Sequence, residues 1–341
     1  MSAGAYDMNS MERLINRIKG EKVDRAANLN ILMAFQAKYA SVKYRDFILK
    51  PEEKVRANLI AHEAFGIDAV TSMSDPFTEA EGFGCAIEYP EDDHPHAVKR
   101  VIEDYGDIRK LKVKKPEDAR RMSNGVRLME LYKEKVKGEV PIIGWVEGPI
   151  AEFADVYDIN LALMDLLTEP EWAEDVMDIL TEQAIVFAKA QIQAGADIIG
   201  IGDAAASLIG PSLYRNMILE RERKIVEAVH EAGAMVKLHI CGNISPILED
   251  IKTLKCDIVD IDFMVDFQEA NRILNGVSAV SGNIDPVRNV MNASPENIKK
   301  EIRMLIETTD NTSIISAGCE IPKNTDPALV KAFYEALAEI G

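Results

Sequence analysis

Apolar positions along this chain follow two rhythms. Short runs rich in Ile, Val and Ala alternate with longer stretches in which apolar residues return every three or four positions, the spacing of an amphipathic helix. The short runs are AANLNILM (26–33), IDAVTSM (67–73), VPIIGWVEGP (140–149), ADIIGIGDA (196–204), AMVKLHICGN (234–243), CDIVDIDFM (256–264), VSAVSGNIDP (277–286) and TSIISAGCEIP (312–322). Between them lie helical patterns such as PEEKVRANLIAHEAFG, EDARRMSNGVRLMELYKEKVKG and SLYRNMILERERKIVEAVHEAG, and DPALVKAFYEALAEI closes the chain. Eight strand-like runs, each followed by a helix, predict parallel strands with right-handed crossovers, and eight such units predict a closed (β/α)8 TIM barrel. The surplus length is read as an N-terminal helical extension and a long insertion, Asp75–Pro116, after the second strand. No Pro/Gly/Ser-rich linker divides the chain, so residues 1–341 are expected to form a single barrel domain. An open doubly wound sheet is the structural alternative, but no GxGxxG follows the first run.

Composition narrows the partners. Apolar residues make up 47% and charged residues 28%, as in soluble globular proteins. A net charge of −18 argues against nucleic acid and against anionic membrane surfaces, both of which call for a basic face. The four cysteines, Cys85, Cys241, Cys256 and Cys319, are too few for a disulfide scaffold. With no apolar leader or spanning stretch, a cytoplasmic protein with reduced thiols is expected.

In a barrel, function gathers at the C-terminal ends of the strands. The polar residues there are Asp75 near the end of the second run, with Glu79 and Glu81 in the loop after it, Glu147 on the third, Asp203 on the fourth, His239 and Cys241 on the fifth, Asp260 and Asp262 on the sixth, Asn283 and Asp285 on the seventh, and Cys319 on the eighth. Residues i and i+2 share a strand face, so His239 and Cys241 project together. His-x-Cys alone is more readily structural than metal-binding, since a buried cysteine packs as a small hydrophobe. Cys319 tips the reading, because the eighth run closes the same rim and two thiolates with one imidazole suit Zn²⁺ with a fourth position open. Cys256 and Cys85 are read as structural, and Trp145 and Phe263 as barrel packing.

LHICGN, GNIDP (282–286), GADIIGIGD, LIGPSLY and AGCEIP resemble the uroporphyrinogen decarboxylase superfamily, strongly over about 140–340 and more thinly before. The H-x-C…C set resembles its zinc-dependent branch, the cobalamin methyltransferases, which include the methylcobalamin:coenzyme M methyltransferases of anaerobic one-carbon metabolism. The resemblance implies a (β/α)8 barrel, zinc on His239, Cys241 and Cys319, and methyl transfer between a corrinoid (cobalamin) protein and a small donor or acceptor, a zinc-activated thiol in the first instance. No D-x-H-x-x-G signature is present, so cobalamin is expected on a separate corrinoid protein. Two alternatives stand beside this reading: a uroporphyrinogen-decarboxylase-like decarboxylase and a non-catalytic corrinoid-binding barrel. The decarboxylases carry an arginine-rich motif of the form MRQAGR, whereas the matching stretch here reads NILMAFQAKYAS, without arginine.

Glu147 departs from the uncharged residue that the coenzyme M enzymes carry before Gly-Pro. It is a candidate fourth zinc ligand, proton acceptor or substrate contact, with pairing to Lys237 as the structural alternative. Asp203 and Asp262 are candidates to hydrogen-bond the His239 ring and fix its tautomer. Asn283 is a candidate cofactor contact, beside the plainer role of shaping the GNIDP turn. The acidic EYPEDDHPH run of the insertion is either a dock for the corrinoid protein or a solvated loop.

Overall fold

The computed structural model describes residues 8–309 and 313–340. Seven parallel strands curl into one sheet: β1 (Val70–Thr71), β4 (Ile142–Glu147), β5 (Ile198–Gly202), β6 (Met235–Ile240), β7 (Ile258–Ile261), β8 (Ala279–Ile284) and β9 (Ile314–Ala317). A two-stranded hairpin, β2 (Ala86–Glu88) with β3 (His96–Lys99), stands apart from it.

The expected first strand is not a regular one. Residues 26–32 run extended between β1 and β9 but outside the regular sheet, and Met33 already begins a helix. The segment still closes the barrel, because the Ala27 carbonyl accepts from Ile315 N at 3.2 Å and the Asn28 carbonyl from Asp68 N at 2.8 Å. Side chains complete the seam: Asn30 Oδ1 accepts from Ala317 N at 2.7 Å and Asp68 Oδ2 from Asn28 N at 2.8 Å. Asparagine and aspartate thus replace ladder bonds that a regular strand would make with its backbone. The second expected strand likewise shrinks to Val70–Thr71.

Inward-facing residues change character along the barrel axis. At the N-terminal end a dry layer comprises Ala27, Leu29, Ala69, Ile143, Ile198, Ile258, Ala279 and Ile314. The helix Ser10–Ile18 plugs this end with Leu14, which is fully buried there. Two residues further along each strand the same face carries Trp145, Gly200, Lys237, Asp260, Ser281 and Ser316, and two further Glu147, Gly202, His239, Asp262 and Asn283. Packing therefore holds the bottom and polar chemistry occupies the top.

The insertion after β1 folds back onto the body. Its hairpin turn meets the helix Tyr44–Leu49 through Arg45 N to the Glu91 carbonyl (3.1 Å) and Lys43 to Asp92 (2.7 Å), and Lys323 donates to the Asp92 carbonyl. Beneath it Arg121 makes a two-pronged, buried pair with Asp75, at 2.7 and 3.2 Å. Among the described residues no helix is long and apolar enough to cross a membrane.

Candidate metal centre

Strand β6 delivers His239 on its inner face, and Cys241 follows just past its end. Cys319 arrives from the opposite side of the seam, in the loop after β9. That loop is held close: a Cβ on Gly318 would lie 2.4 Å from Phe263 N, so only glycine lets the chain pass there. The result is a compact trio. His239 Nε2 lies 3.1 Å from Cys241 Sγ, and the two sulfurs are 3.6 Å apart. All three candidate ligand atoms fall within 4.8 Å of one another, and among the described residues this is the one such group of three or more.

The trio shares protons as a metal site without its metal would. Hydrogen bonding from Cys241 outweighs burial and, with His239, draws the Cys319 thiol down to about 4. Cys241 is pushed up by the same partnership and by burial. Burial opposes an imidazolium at His239, but Asp260 and Cys319 overcome it and raise the ring to about 9. A thiolate beside a charged imidazole is an arrangement that one divalent cation replaces, displacing protons from the ligand atoms. His239 is 3% exposed, and both cysteines are partly open to the barrel mouth.

Asp260 supports the trio from the neighbouring strand, in register with His239. Its Oδ2 lies 2.9 Å from His239 Nδ1 and accepts from Lys237 Nζ at 2.6 Å. Burial works against its charge, but Lys237 and then His239 hold it well below the usual carboxylate range. Lys237 therefore pairs with Asp260 rather than with Glu147, and Asp260, not Asp203 or Asp262, sits against the His239 ring. Neither assignment could be read from one strand alone, because each depends on the register between β6 and β7.

The other candidates are dispersed. Glu147 faces inward at the rim, where Trp145 Nε1 donates to it at 2.9 Å, and it is outside the trio. It and His239 both register with Gly202, one strand away on each side, so their Cα atoms lie roughly 10 Å apart along the rim. Asp203 follows inward-facing Gly202 and so points out of the barrel, under the helix Pro149–Val156, where it accepts from Ala151 N at 2.8 Å. It is fully buried, and its link to His239 is through the backbone, Asp203 N donating to the His239 carbonyl at 3.0 Å, while the ring's Nδ1 faces Asp260. Asp262 accepts from Gly242 N at 2.7 Å and so braces the loop that carries Cys241. Asn283 donates to the Val265 carbonyl at 2.5 Å, which ties the turn after β8 to the loop after β7. Trp145 packs inside the barrel, in space left by glycine: a Cβ on Gly200 would lie 2.2 Å from its ring. Phe263, expected in the packing, is 43% exposed on the rim.

The sequence model of the uroporphyrinogen decarboxylase (URO-D) family matches residues 9–340. The chain belongs to the URO-D family. Within it, the methylcobamide:CoM methyltransferase MtbA of Methanosarcina acetivorans is 29% identical over 331 residues, covering 95% of this chain and 96% of that protein. A uroporphyrinogen decarboxylase of Aeromonas salmonicida is 26% identical, over 81% of this chain and 79% of that one. Among solved structures, a methyltransferase from Methanosarcina mazei superposes with a TM-score of 0.88 at 24% identity, covering 97% of this chain and 99% of that one. A B12-independent methionine synthase from Shewanella sp. W3-18-1 follows with a TM-score of 0.59 at 16% identity, over 87% of this chain and 89% of that one. The two superpositions agree on the barrel.

In this URO-D chain the β4 side of the mouth, with the helix behind it, is rich in buried carboxyls. Burial, then Asp155 and Glu79, pushes Glu147 well above the usual carboxylate range. Burial likewise raises Glu79 to about 7 and lifts Glu152 well above the usual carboxylate range. Glu79 Oε1 accepts from Glu147 N at 3.2 Å, which joins the insertion to the rim of β4. Strand β4 is itself clamped, because Gln191 on the helix Pro170–Ala194 accepts from Trp145 N at 3.0 Å and donates to Trp145 O at 2.9 Å.

Proposed function

We propose that this protein is a zinc-dependent methyltransferase, moving a methyl group between a corrinoid carried by a separate protein and a small donor or acceptor, a thiol in the first instance. The observation that carries the reading is the His239–Cys241–Cys319 trio at the barrel mouth, with its ligand atoms within 4.8 Å. One nitrogen and two sulfur donors favour zinc over the oxygen-seeking cations, and three protein ligands leave a position for substrate. Zinc bound there would hold a thiol as thiolate at neutral pH, or polarise an oxygen.

The chain's own groups have separable tasks. Asp260 faces Nδ1 of His239 and so leaves Nε2 for the metal. Asp262 holds the Cys241 loop through Gly242 N. Glu147, whose burial raises it well above the usual carboxylate range, is placed to offer a proton to a heteroatom at the mouth from beyond Gly202. Gly200 and Gly202 make room for the Trp145 indole, which lies beside Glu147. The name of the MtbA relative, a methylcobamide:CoM methyltransferase, supports a corrinoid partner.

The test is metal content of the purified protein, wild type beside Cys319→Ser, followed by transfer from methylcobalamin to thiols monitored by cobalamin absorbance. About one zinc per chain, lost in the variant together with transfer, is expected. A wild type that takes up no zinc under reducing conditions would refute the proposal.

A further inference from the structure

The three members of the trio are not held alike. His239 and Cys241 come from β6, which has a ladder partner on each side, β5 and β7. Cys319 follows β9, the last strand of the regular sheet, which is laddered to β8 alone. On the β8 side its loop is fixed by Gly318 N, which donates to the Ile284 carbonyl at 2.9 Å. On the other side lies the irregular segment 26–32 in place of a strand.

The bonds that cross this seam near Cys319 bracket it. Asn30 Oδ1 accepts from Ala317 N at 2.7 Å, the Ile31 carbonyl from Ile321 N at 2.9 Å, and Glu320 Oε1 from Ala34 N at 2.9 Å. The first of these depends on a buried side chain that is itself fixed. Asn30 donates to Asn28 Oδ1 through both Nδ2, at 2.8 Å, and its backbone N, at 3.2 Å. Asn28 Nδ2 donates to the Phe65 carbonyl at 3.1 Å, and Asn28 N to Asp68 Oδ2 at 2.8 Å. Asp68 is fully buried and gripped by Arg13 and Arg25, at 2.7 Å each. A continuous run of bonds thus leads from the ion pairs at the closed end of the barrel to Ala317, the last residue of β9, two before Cys319.

An amide suits this post because it accepts from Ala317 N and donates to Asn28 from one rigid plane. Without it Ala317 N, which is buried, loses its partner, and β9 regains one only by shifting. The trio is tight enough to register such a shift, with its sulfurs 3.6 Å apart and all three ligand atoms within 4.8 Å.

We propose that Asn30 is a positioning residue for the metal centre: through Ala317 N it holds the end of β9 in place and so sets the approach of Cys319 to His239 and Cys241. The assignment rests on the zinc-methyltransferase reading and adds to it a residue on the segment where no regular strand forms.

The test compares two variants of the full-length protein. Asn30→Leu keeps the branched shape and removes both side-chain bonds. Ser313→Ala removes a buried bond to Asn271 Oδ1, 2.8 Å long, at the opposite end of β9. Zinc affinity is read by chelator competition, and site geometry by the thiolate-to-metal absorption of Co²⁺-loaded protein. In metal-free protein the rate at which diamide joins Cys241 to Cys319 reads their approach; the disulfide forms as diamide takes up the two thiol hydrogens. Asn30→Leu is expected to lower zinc affinity about 10–100-fold, as loss of a ligand's supporting partner does, to change the Co²⁺ spectrum and to slow the cross-link. Ser313→Ala is expected to lower the urea midpoint and to leave all three readings as in the wild type. Asn30→Asp, which once protonated offers the same acceptor and a donor, is expected to restore them, and it stands against Asn30→Ala should the Leu variant fold poorly. Readings unchanged in Asn30→Leu overturn the proposal. Equal losses in Asn30→Leu and Ser313→Ala mark a general loosening and overturn it too, as does an Asp variant no better than Leu or Ala. A wild type that takes up no metal refutes the methyltransferase reading, and the cross-linking rates of metal-free protein then decide the Asn30 assignment alone.

Discussion

Replacing Asp260 with asparagine separates two roles that the structure merges in one oxygen. Asp260 Oδ2 touches both Lys237 Nζ, at 2.6 Å, and His239 Nδ1, at 2.9 Å, and the aspartate is 1% exposed. Breaking a buried ion pair from one side costs about 3–5 kcal/mol, because the surviving charge is left in low dielectric. Asp260→Asn should therefore lower folding stability by about that much, and zinc affinity by about 10–100-fold through the freed imidazole. Lys237→Met should cost stability but less than tenfold in zinc affinity, since His239 keeps its carboxylate. In the double variant the stranded charge is gone. Its stability should exceed the sum of the single losses by about 2 kcal/mol, while its zinc affinity stays as low as that of Asp260→Asn. Urea unfolding of metal-free protein reads the first quantity and chelator competition the second. Additive stabilities, or Asp260→Asn binding zinc as the wild type does, would refute the coupling drawn here.

Three further outcomes follow from particular contacts. Burial raises Asp203 to about 7, so its proton is bound more tightly in the folded chain than in the unfolded one. Stability from this group is full below about pH 4 and lost as pH rises to about 7, at up to about 1.4 kcal/mol per pH unit. Asp203→Asn, able to keep the acceptor for Ala151 N, should narrow the difference between urea midpoints at pH 5 and pH 8; an unchanged difference would exclude Asp203 as its source. Gly200→Ala places a Cβ 2.2 Å from the Trp145 ring, so it should cost about 1–3 kcal/mol and shift tryptophan emission as the indole moves off Glu147. In metal-free protein, diamide should take two hydrogens from Cys241 and Cys319, whose sulfurs are 3.6 Å apart, and peptide mapping should find that cross-link; zinc should prevent it.

The parts of this fold legible in sequence are those set by periodicity. Strands β4 to β9 and the helices between them follow from apolar alternation, and the inward parity of His239 and Cys241 follows from spacing of two. The trio was legible because all three residues sit at strand C-termini. What escaped depends on contacts across strands. Asp260 and Asp262 differ by one turn of the pleat, and only the register of β7 on β6 decides which faces the His239 ring. Asp203 misled because its position at a strand end suggested the mouth, whereas its parity, one beyond Gly202, points outward. The first strand was overcalled because Ala27 and Leu29 do alternate, while the seam is finished by Asn28, Asn30 and Asp68 through bonds that no hydropathy pattern records.

The charge arrangement of the mouth also bears on which member of the family's chemistry this chain can host. Among the described residues, three cations line the two cavities that flank Trp145: Lys54, Arg121 and Lys237. Arg121 is committed to Asp75 and Lys237 to Asp260, each through a buried pair. Substrates that bear many carboxylates need several uncommitted cations, preferably arginines able to grip each carboxylate with two bonds. One lysine cannot meet that demand, and releasing Arg121 or Lys237 would strand a buried aspartate at a cost of several kcal/mol. A small reactant with a single negative charge asks for no such rearrangement.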